Sequence, residues 1–444
     1  MRIVNANEIG RAGVEKFLTK KSFDEVELSP KVREANKKIF GEDLSAIEIV
    51  RRIVSDVRKF GDAAVIEYTK KIDGADSIRN EELGIRNEEI DSAEAQVKPE
   101  IFSSLKVAAE NIRRFHVEQL PKSWITHRGE NSLLGQAVVP LERVGVYVPG
   151  GTAAYPSSVL MNIIPAKVAG VREVIMCTPN ANKTVLAAAK LAGVDKIFKI
   201  GGAQAIAAMA FGTEQIPRVN KIVGPGNIFV TLAKKEVYGH CDIDMLAGPS
   251  EILIVADENA NPTFAAADLL SQAEHDPLAC SILITTSQPL AEKISAEVSA
   301  QLENLPRKEI AAAAIERNGL IVVAESLDAA IDFANFSAPE HLELLVSEPF
   351  SLLPKIKNAG AIFLGAYSPE PLGDYLAGPN HVLPTGGTAK FFSVLHVETF
   401  LKRTSLISYT RKDLLAAAAD IIRLAEAEGL AAHAEAIRKR EEGL

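Results

Sequence analysis

From Arg143 to Leu364 the chain repeats one pattern: a short apolar run, a tight turn, then a longer helical run. Val144–Val148 leads into Pro149-Gly150-Gly151, and Glu173–Cys177 precedes a Leu/Ala-rich helical stretch. Lys196–Ile200 leads into Gly201-Gly202, and Lys221–Val223 into Gly224-Pro-Gly-Asn227. A second series follows in Ile252–Ala256, Ser281–Thr285, Leu320–Val323, Leu342–Val346 and Ala361–Leu364. Strands apolar along their whole length are buried on both faces, and strands separated by helices pair in parallel. The expected fold class is therefore α/β, with two parallel-sheet halves.

The flanks read differently. From Ser29 to about Pro121 the pattern is helical, with Leu44, Ile47, Val50 and Val54 at spacings of three and four and Ile53 beside them. Beyond about Ala389 the sequence reads as helices, with Leu414, Leu415, Ile421, Ile422 and Leu424 on an Ala-rich background. Such a tail buries its apolar stripe either in its own domain or on a neighbouring subunit, and the neighbour is favoured. The domain expectation is thus a mainly helical region over 1–130, α/β halves over 131–248 and 249–388, and a helical tail over 389–444.

A chain of 444 residues divides into more than one domain. A net charge of −9 with no basic stripe argues against nucleic acid as a partner. No apolar run approaches the ~20 residues that span a bilayer. The start, Met-Arg-Ile-Val-Asn-Ala-Asn-Glu-Ile, has neither a signal-peptide core nor a transit-peptide composition, so a cytoplasmic protein with a small-molecule ligand is expected. Cys177, Cys241 and Cys280 are too few and scattered for a disulfide framework and read as buried, reduced thiols.

The glycine turns fall where open α/β sheets bind ligands, outside the carboxyl ends of strands. None is a G-x-G-x-x-G, and tight turns needing positive φ account for each taken alone. A more specific feature is Asp268-Leu-Leu-Ser-Gln272-Ala-Glu-His275-Asp-Pro277, in a helix that Asn261 caps, Pro262 opens and Pro277 closes, with Phe264, Leu269 and Leu270 as its apolar face. Gln272 and His275 lie three apart on one helical face, so two donors can converge on a metal. On spacing alone, a polar helix end with its carbonyls satisfied by His275 is the favoured account of them.

Among the eight histidines, His116, His127 and His240 sit in charged or turn contexts and read as surface residues, and His396 as a packing or surface position. Glu340-His341 follows Pro339 at the start of an apolar strand, where a carboxylate beside an imidazole suits acid–base work if the backbone turns to bring both to one pocket. Asp374 and His381 fall in the turn-rich stretch Gly365–Gly387, where an aspartate is either a turn former or a hard metal donor. Glu428 and His433 flank Gly429 in the tail, where a solvated helix surface explains both.

Taken in order, the blocks Gly145-Val-Tyr147-Val-Pro-Gly-Gly, Gly224-Pro-Gly-Asn227, Ala247-Gly-Pro-Ser250-Glu, Ser271-Gln272-Ala-Glu-His275-Asp-Pro, Ser337-Ala-Pro-Glu340-His341 and Gly373-Asp374-Tyr with Asn380-His381-Val-Leu-Pro-Thr-Gly-Gly resemble the histidinol dehydrogenase family. The resemblance implies two incomplete Rossmann-like domains with helical additions, an intertwined homodimer, and two NAD-dependent oxidations that turn L-histidinol into L-histidine through an aldehyde. It implies zinc held by Gln272, His275, Asp374 and, from the other subunit, His433. These ligands and His341 would also border the substrate, with Ser250, His381 and Glu428 contacting histidinol. His341 would take the hydroxyl proton, Glu340 would activate water on the aldehyde, and Tyr147, Gln204 and Asn227 would touch NAD. Relatives that oxidise another small alcohol, a zinc hydrolase with Glu340 as base, and a non-catalytic binding protein are the rival readings.

Overall fold

The structure is a computed structural model and describes residues 1–20, 28–74, 82–150 and 155–442; Gly151 of the first glycine turn lies outside the described residues. In chain order its strands are β1 (Arg2–Asn5), β2 (Trp124–Arg128), β3 (Ser132–Pro140), β4 (Arg143–Tyr147), β5 (Glu173–Cys177), β6 (Lys196–Phe198), β7 (Lys221–Val223), β8 (Asp242–Ile243), β9 (Glu251–Ala256), β10 (Cys280–Thr285), β11 (Leu320–Val323), β12 (His341–Leu345), β13 (Ala361–Leu364) and β14 (Leu401–Ser408). The chain forms two units, one of Met1–Gln119 with Leu141–Phe400 and one of Leu120–Pro140 with Leu401–Leu444.

The larger unit holds two parallel sheets, ordered β6-β5-β4-β7-β8 and β1-β11-β10-β9-β12-β13. Every residue of β9 and β12 is buried, as strands covered by helices on both faces require. In the five-stranded sheet the winding reverses between β4 and β7, and in the six-stranded sheet between β9 and β12. Crevices open at such reversals because the flanking crossovers leave to opposite faces.

Helix Ala46–Phe60 shows how the N-terminal region is held. A capping box between Ser45 and Glu48 starts it, and Ile49, Val50, Ile53, Val54 and Val57 form a buried stripe. That stripe packs on helix Gly202–Phe211, which is buried from Ala203 through Ala210. At ~1.5–3 kcal/mol per buried aliphatic side chain, the five contribute on the order of 10 kcal/mol before chain entropy is subtracted.

Five sequence expectations need correction. The N-terminal residues form β1, paired in parallel with β11 from Arg2↔Leu320 to Asn5↔Val323; a four-residue edge strand has no periodicity to betray it. The tail is not wholly helical, because it contains β14, antiparallel to β3 from Leu401↔Pro140 to Ser408↔Leu133. Its Lys402-Arg-Thr-Ser405 run is polar and exposed, so only its distant pairing partner makes it a strand. His116 is fully buried, not superficial, because it lies one turn beyond Ile112 on the inner face of helix Pro99–Val117. Phe264 is exposed although Leu269 and Leu270 of the same helix are buried, and Cys280 is half-buried while Cys177 and Cys241 are fully so.

The smaller unit is the antiparallel sheet β14-β3-β2 with helices Arg411–Ala427 and Ala431–Glu442. Its buried apolar side chains, among the described residues, are Ala418, Ala425 and Ala434, whereas Trp124, Ile125, Ile407 and Leu424 are all more than half exposed. So thin a core leaves these large apolar side chains at the surface of the unit.

Gly224, after β7, has φ +108°, and an added Cβ would lie 2.1 Å from the carbonyl oxygen of Tyr147 at the end of β4. Gly224→Ala therefore strains the backbone and forces the two turns apart; we expect a loss of about 2 kcal/mol or more in denaturant unfolding. A change within about 0.5 kcal/mol would show that the turns separate freely.

Candidate acid–base and metal site

Three short segments meet at the amino edge of the six-stranded sheet, where β9 and β12 pair through His341↔Ile252. This is the edge opposite to the one the general rule for α/β sheets favours. The first segment is helix Pro262–Ala273, capped by Asn261, whose side chain accepts from the Thr263 N–H. It ends one residue after Gln272, and the His275 N–H donates back to the Gln272 carbonyl at 3.2 Å, so both side chains leave the same helix end. The second is the short helix Glu370–Tyr375, with Glu370 and Asp374 one turn apart.

The third is the entry to β12. Ala338 adopts φ +48° and Pro339 follows, which supplies the backbone turn needed to bring Glu340 and His341 to one place. Glu340 Oε2 lies 3.8 Å from His341 Nδ1, and both side chains are buried. The backbone of one residue orients the pair: the Glu251 N–H donates to Glu340 Oε2 at 2.9 Å, and His341 Nδ1 donates to the Glu251 carbonyl at 2.8 Å. A carbonyl only accepts, so Nδ1 carries the proton and Nε2 keeps its lone pair. That buried Nε2 has no hydrogen-bond partner and lies 3.9 Å from Asp374 Oδ1. Glu251 is itself fixed, its side chain pairing with Lys20 Nζ at 2.5 Å and accepting the Gly386 N–H at 3.0 Å.

His275, Glu370 and Asp374 offer donor atoms that all lie within 4.8 Å of one another. Gln272 Oε1 and Glu370 Oε1 are buried without a partner. Behind them Glu370 N–H donates to Glu343 Oε1 at 2.7 Å, and Glu343 shares a hydrogen bond with Asp268. Burial drives Asp268, Glu343, Glu370 and Asp374 upward from ordinary carboxyl values, and no lysine or arginine acts on any of the four among the described residues. Burial, then the Glu251 charge, also pushes Glu340 well up, while burial pushes His341 down to about 3 and His381 down to about 4. Orphaned donors and crowded carboxyls without a counter-charge fit a divalent cation, which would satisfy both.

Glu370, Glu343 and Asp268 were not singled out from sequence. Their signal was available: Asp268 stands one helical turn before Gln272, and Glu370 one turn before Asp374. His381 binds into the same place, with Nδ1 on the Asp374 carbonyl at 3.0 Å and Nε2 at 3.4 Å from Ser158 Oγ, a fourth residue not singled out from sequence. Ser250 is half-buried immediately before β9. Glu428 and His433 belong to the smaller unit, exposed on either side of Gly429 where one tail helix gives way to the next.

The residues expected at a dinucleotide lie on the other sheet. Tyr147 ends β4 and its hydroxyl accepts the Gly202 N–H at 3.1 Å. Gln204 is fully buried with Oε1 unpartnered, and exposed Asn227 caps helix Ile228–Val237 by accepting from Phe229 and Val230 N–H groups. These three follow β4, β6 and β7, at the carboxyl edge and around the β4/β7 reversal.

Two parallel α/β sheets, a buried imidazole with a free lone pair and a donor cluster suited to a cation define an enzyme of the acid–base kind. The comparisons narrow it. The family model of histidinol dehydrogenase matches residues 37–441. The histidinol dehydrogenase of Heliobacterium mobile is 54% identical over 88% of this chain and 92% of its own. That of Moorella thermoacetica is 56% identical over 88% and 94%. The crystal structure of histidinol dehydrogenase from Elizabethkingia anophelis superimposes with a TM-score of 0.90 at 37% identity, covering 100% of this chain and 98% of its own. The chain belongs to the histidinol dehydrogenase family, and is an oxidoreductase.

The buried carboxyls set a pH dependence. Glu343 and Glu370 rise to about 9 and about 8 in the folded chain, so their contribution to stability is present at low pH and lost as pH rises toward those values. The depressed histidines act only below their ordinary 6.5. Chelated protein should therefore lose thermal stability between about pH 6.5 and pH 8, and added zinc should restore more of it at pH 8 than at pH 6.5. Equal stabilisation by zinc at both values would separate the carboxyl cluster from the metal.

Proposed function

We propose that this chain oxidises L-histidinol to L-histidine in two successive NAD-dependent steps through L-histidinal, the last steps of histidine biosynthesis. The observation that carries the reading is His341 Nε2, a buried, partnerless lone pair beside the donor cluster, in a chain of this family. Gln272, His275, Asp374 and the partner chain's copy of His433 would hold zinc, which supplies an anchor for the nitrogen atoms of the substrate. NAD would meet Tyr147, Gln204 and Asn227 and supplies the acceptor for each hydride.

The residues of the chain supply the proton chemistry. As the first hydride leaves the carbinol carbon, His341 Nε2 takes the hydroxyl proton, and its Nδ1–H bond to the Glu251 carbonyl steadies the imidazolium. Burial makes Glu340 a stronger base than an exposed carboxylate, suited to deprotonating the water that adds to the aldehyde carbon. The resulting gem-diolate anion loses a second hydride to a second NAD and its remaining hydroxyl proton to His341 Nε2, which has first released its earlier proton to solvent, and leaves the carboxylate. Ser250, His381 and Glu428 would position the substrate's polar ends, with burial keeping His381 a neutral hydrogen-bonding group.

We also place the working form as a homodimer in the cytoplasm. The thin core and exposed apolar residues of the smaller unit support association, and they put Glu428 and His433 on the segment that would cross to the partner. Free Cys177, Cys241 and Cys280 suit a reducing compartment, and no helix among the described residues is long and apolar enough to cross a membrane.

Absorbance at 340 nm should show two NADH formed per L-histidinol, abolished by chelation and restored by zinc. NADH from another small amino or acidic alcohol, with none from histidinol, would move the substrate. Glu340→Gln should slow oxidation of histidinal by about a hundredfold or more and spare the first oxidation of histidinol; equal losses would contradict the assigned division of labour. Mixing His433→Asn with His341→Asn chains should recover activity in heterodimers, and no recovery would remove the crossed tail.

A further inference from the structure

The five-stranded sheet conceals an ion pair that the chemistry above leaves unused. Lys234, on helix Ile228–Val237, and Asp244, just after β8, keep only 2% and 1% of their side-chain exposure and are hydrogen-bonded to each other. Lysine is almost never buried this completely, and apolar side chains of similar volume often serve stability as well or better. Something other than stability is needed to explain the pair.

Its remaining bonds converge on one residue. Lys234 Nζ donates to the Gly224 carbonyl at 3.0 Å, and Asp244 Oδ2 accepts the Gly224 N–H at 2.8 Å. Both backbone polar groups of Gly224 are thus gripped by opposite charges. The same residue is the one whose φ of +108° and approach to the Tyr147 carbonyl admit no side chain. Asp244 Oδ1 also accepts the Met245 N–H, tying down the chain that leaves the sheet. The grip therefore sits under the loop Gly224-Pro-Gly-Asn227, at the β4/β7 reversal, with Tyr147 on one side and Asn227 at its end.

We infer that the Lys234–Asp244 pair is a positioning device for the dinucleotide, holding Gly224, and through it Tyr147 and Asn227, in the binding geometry before NAD arrives. The inference rests on the reading that Tyr147, Gln204 and Asn227 face NAD. Neither charge touches the dinucleotide; each acts through the glycine it holds. Preorganisation of this kind shows in cofactor affinity rather than in metal or substrate binding.

The test uses full-length, zinc-loaded protein and calorimetric titration with NAD and, separately, with L-histidinol. Lys234→Met should weaken NAD binding by about tenfold or more, the effect of losing a charged hydrogen bond at the loop, and leave zinc content and histidinol affinity unchanged. Because Lys234→Met strands a buried carboxylate, the double variant K234M/D244N is the deciding one: it removes the stranded charge and recovers thermal stability, yet should keep the weakened NAD binding. NAD affinity within about twofold of the wild type in that folded double variant would overturn the inference, since a purely structural pair would be fully relieved.

Asn227→Asp keeps the helix cap and separates the two readings. If it leaves NAD binding unchanged, the dinucleotide side itself is misassigned; if it weakens NAD while K234M/D244N does not, only the clamp is wrong. Should neither Lys234 variant fold, hydrogen exchange on the wild type decides. Amides of 222–230 should be as protected without NAD as with it, and protection appearing only on NAD addition would overturn preorganisation.

Discussion

The main chain of Glu251 is the element on which the site depends. Its N–H holds Glu340 and its carbonyl, in the next peptide unit, holds His341, so the extended backbone on either side of one Cα sets the spacing of the proposed acid–base pair and the tautomer of the imidazole. That residue is placed by the parallel register of β9 with β12, and its own side chain is anchored by Lys20 from the N-terminal segment and by Gly386 from the long loop. A site on strands is more precise than one on loops because backbone pairing leaves it little freedom. Here the sheet orients the chemistry directly, through main-chain atoms and not through a third side chain.

Around that centre the chain tolerates what a stable core would not. Gln272 Oε1, His341 Nε2, Glu343 Oε2 and Glu370 Oε1 are buried without partners, each at a cost of roughly 1–3 kcal/mol when nothing is bound. These four share one crevice, while the two sheets and their covering helices carry the apolar burial that offsets their cost. A cation and a substrate bound there, as proposed, would find donors already aimed and already dehydrated, and binding them would relieve the folded state instead of distorting it. The same logic separates the two halves of the molecule. The six-stranded sheet stores electrostatic tension at its amino edge, and the five-stranded sheet spends a buried ion pair on the shape of a loop at its carboxyl edge.

The parallel sheets were legible in sequence because their strands carry their own signal. Three- to five-residue apolar runs between helices allow few other folds, and the runs at Glu173–Cys177, Lys221–Val223, Leu320–Val323 and Ala361–Leu364 coincide with strands to the residue. β1 and β14 were not legible, since an edge strand is defined by a partner hundreds of residues away. His116 shows the opposite failure, a buried residue misread although its helical spacing from Ile112 was in view. At the site, Glu340 and His341 could be suspected as a pair, but only the left-handed turn at Ala338 shows how neighbours on a strand meet in one pocket. Glu370 and Glu343 escaped because a lone acidic residue in a loop or strand reads as solvated until its burial is seen.

Zinc-edge X-ray absorption on reconstituted protein shows whether this orphaned donor set is a metal centre. One zinc per chain is expected, with nitrogen and oxygen ligands only, at about 2.0–2.2 Å, and with that shell lost in Asp374→Ala. A sulfur shell near 2.3 Å, or a shell unchanged in Asp374→Ala, would contradict it.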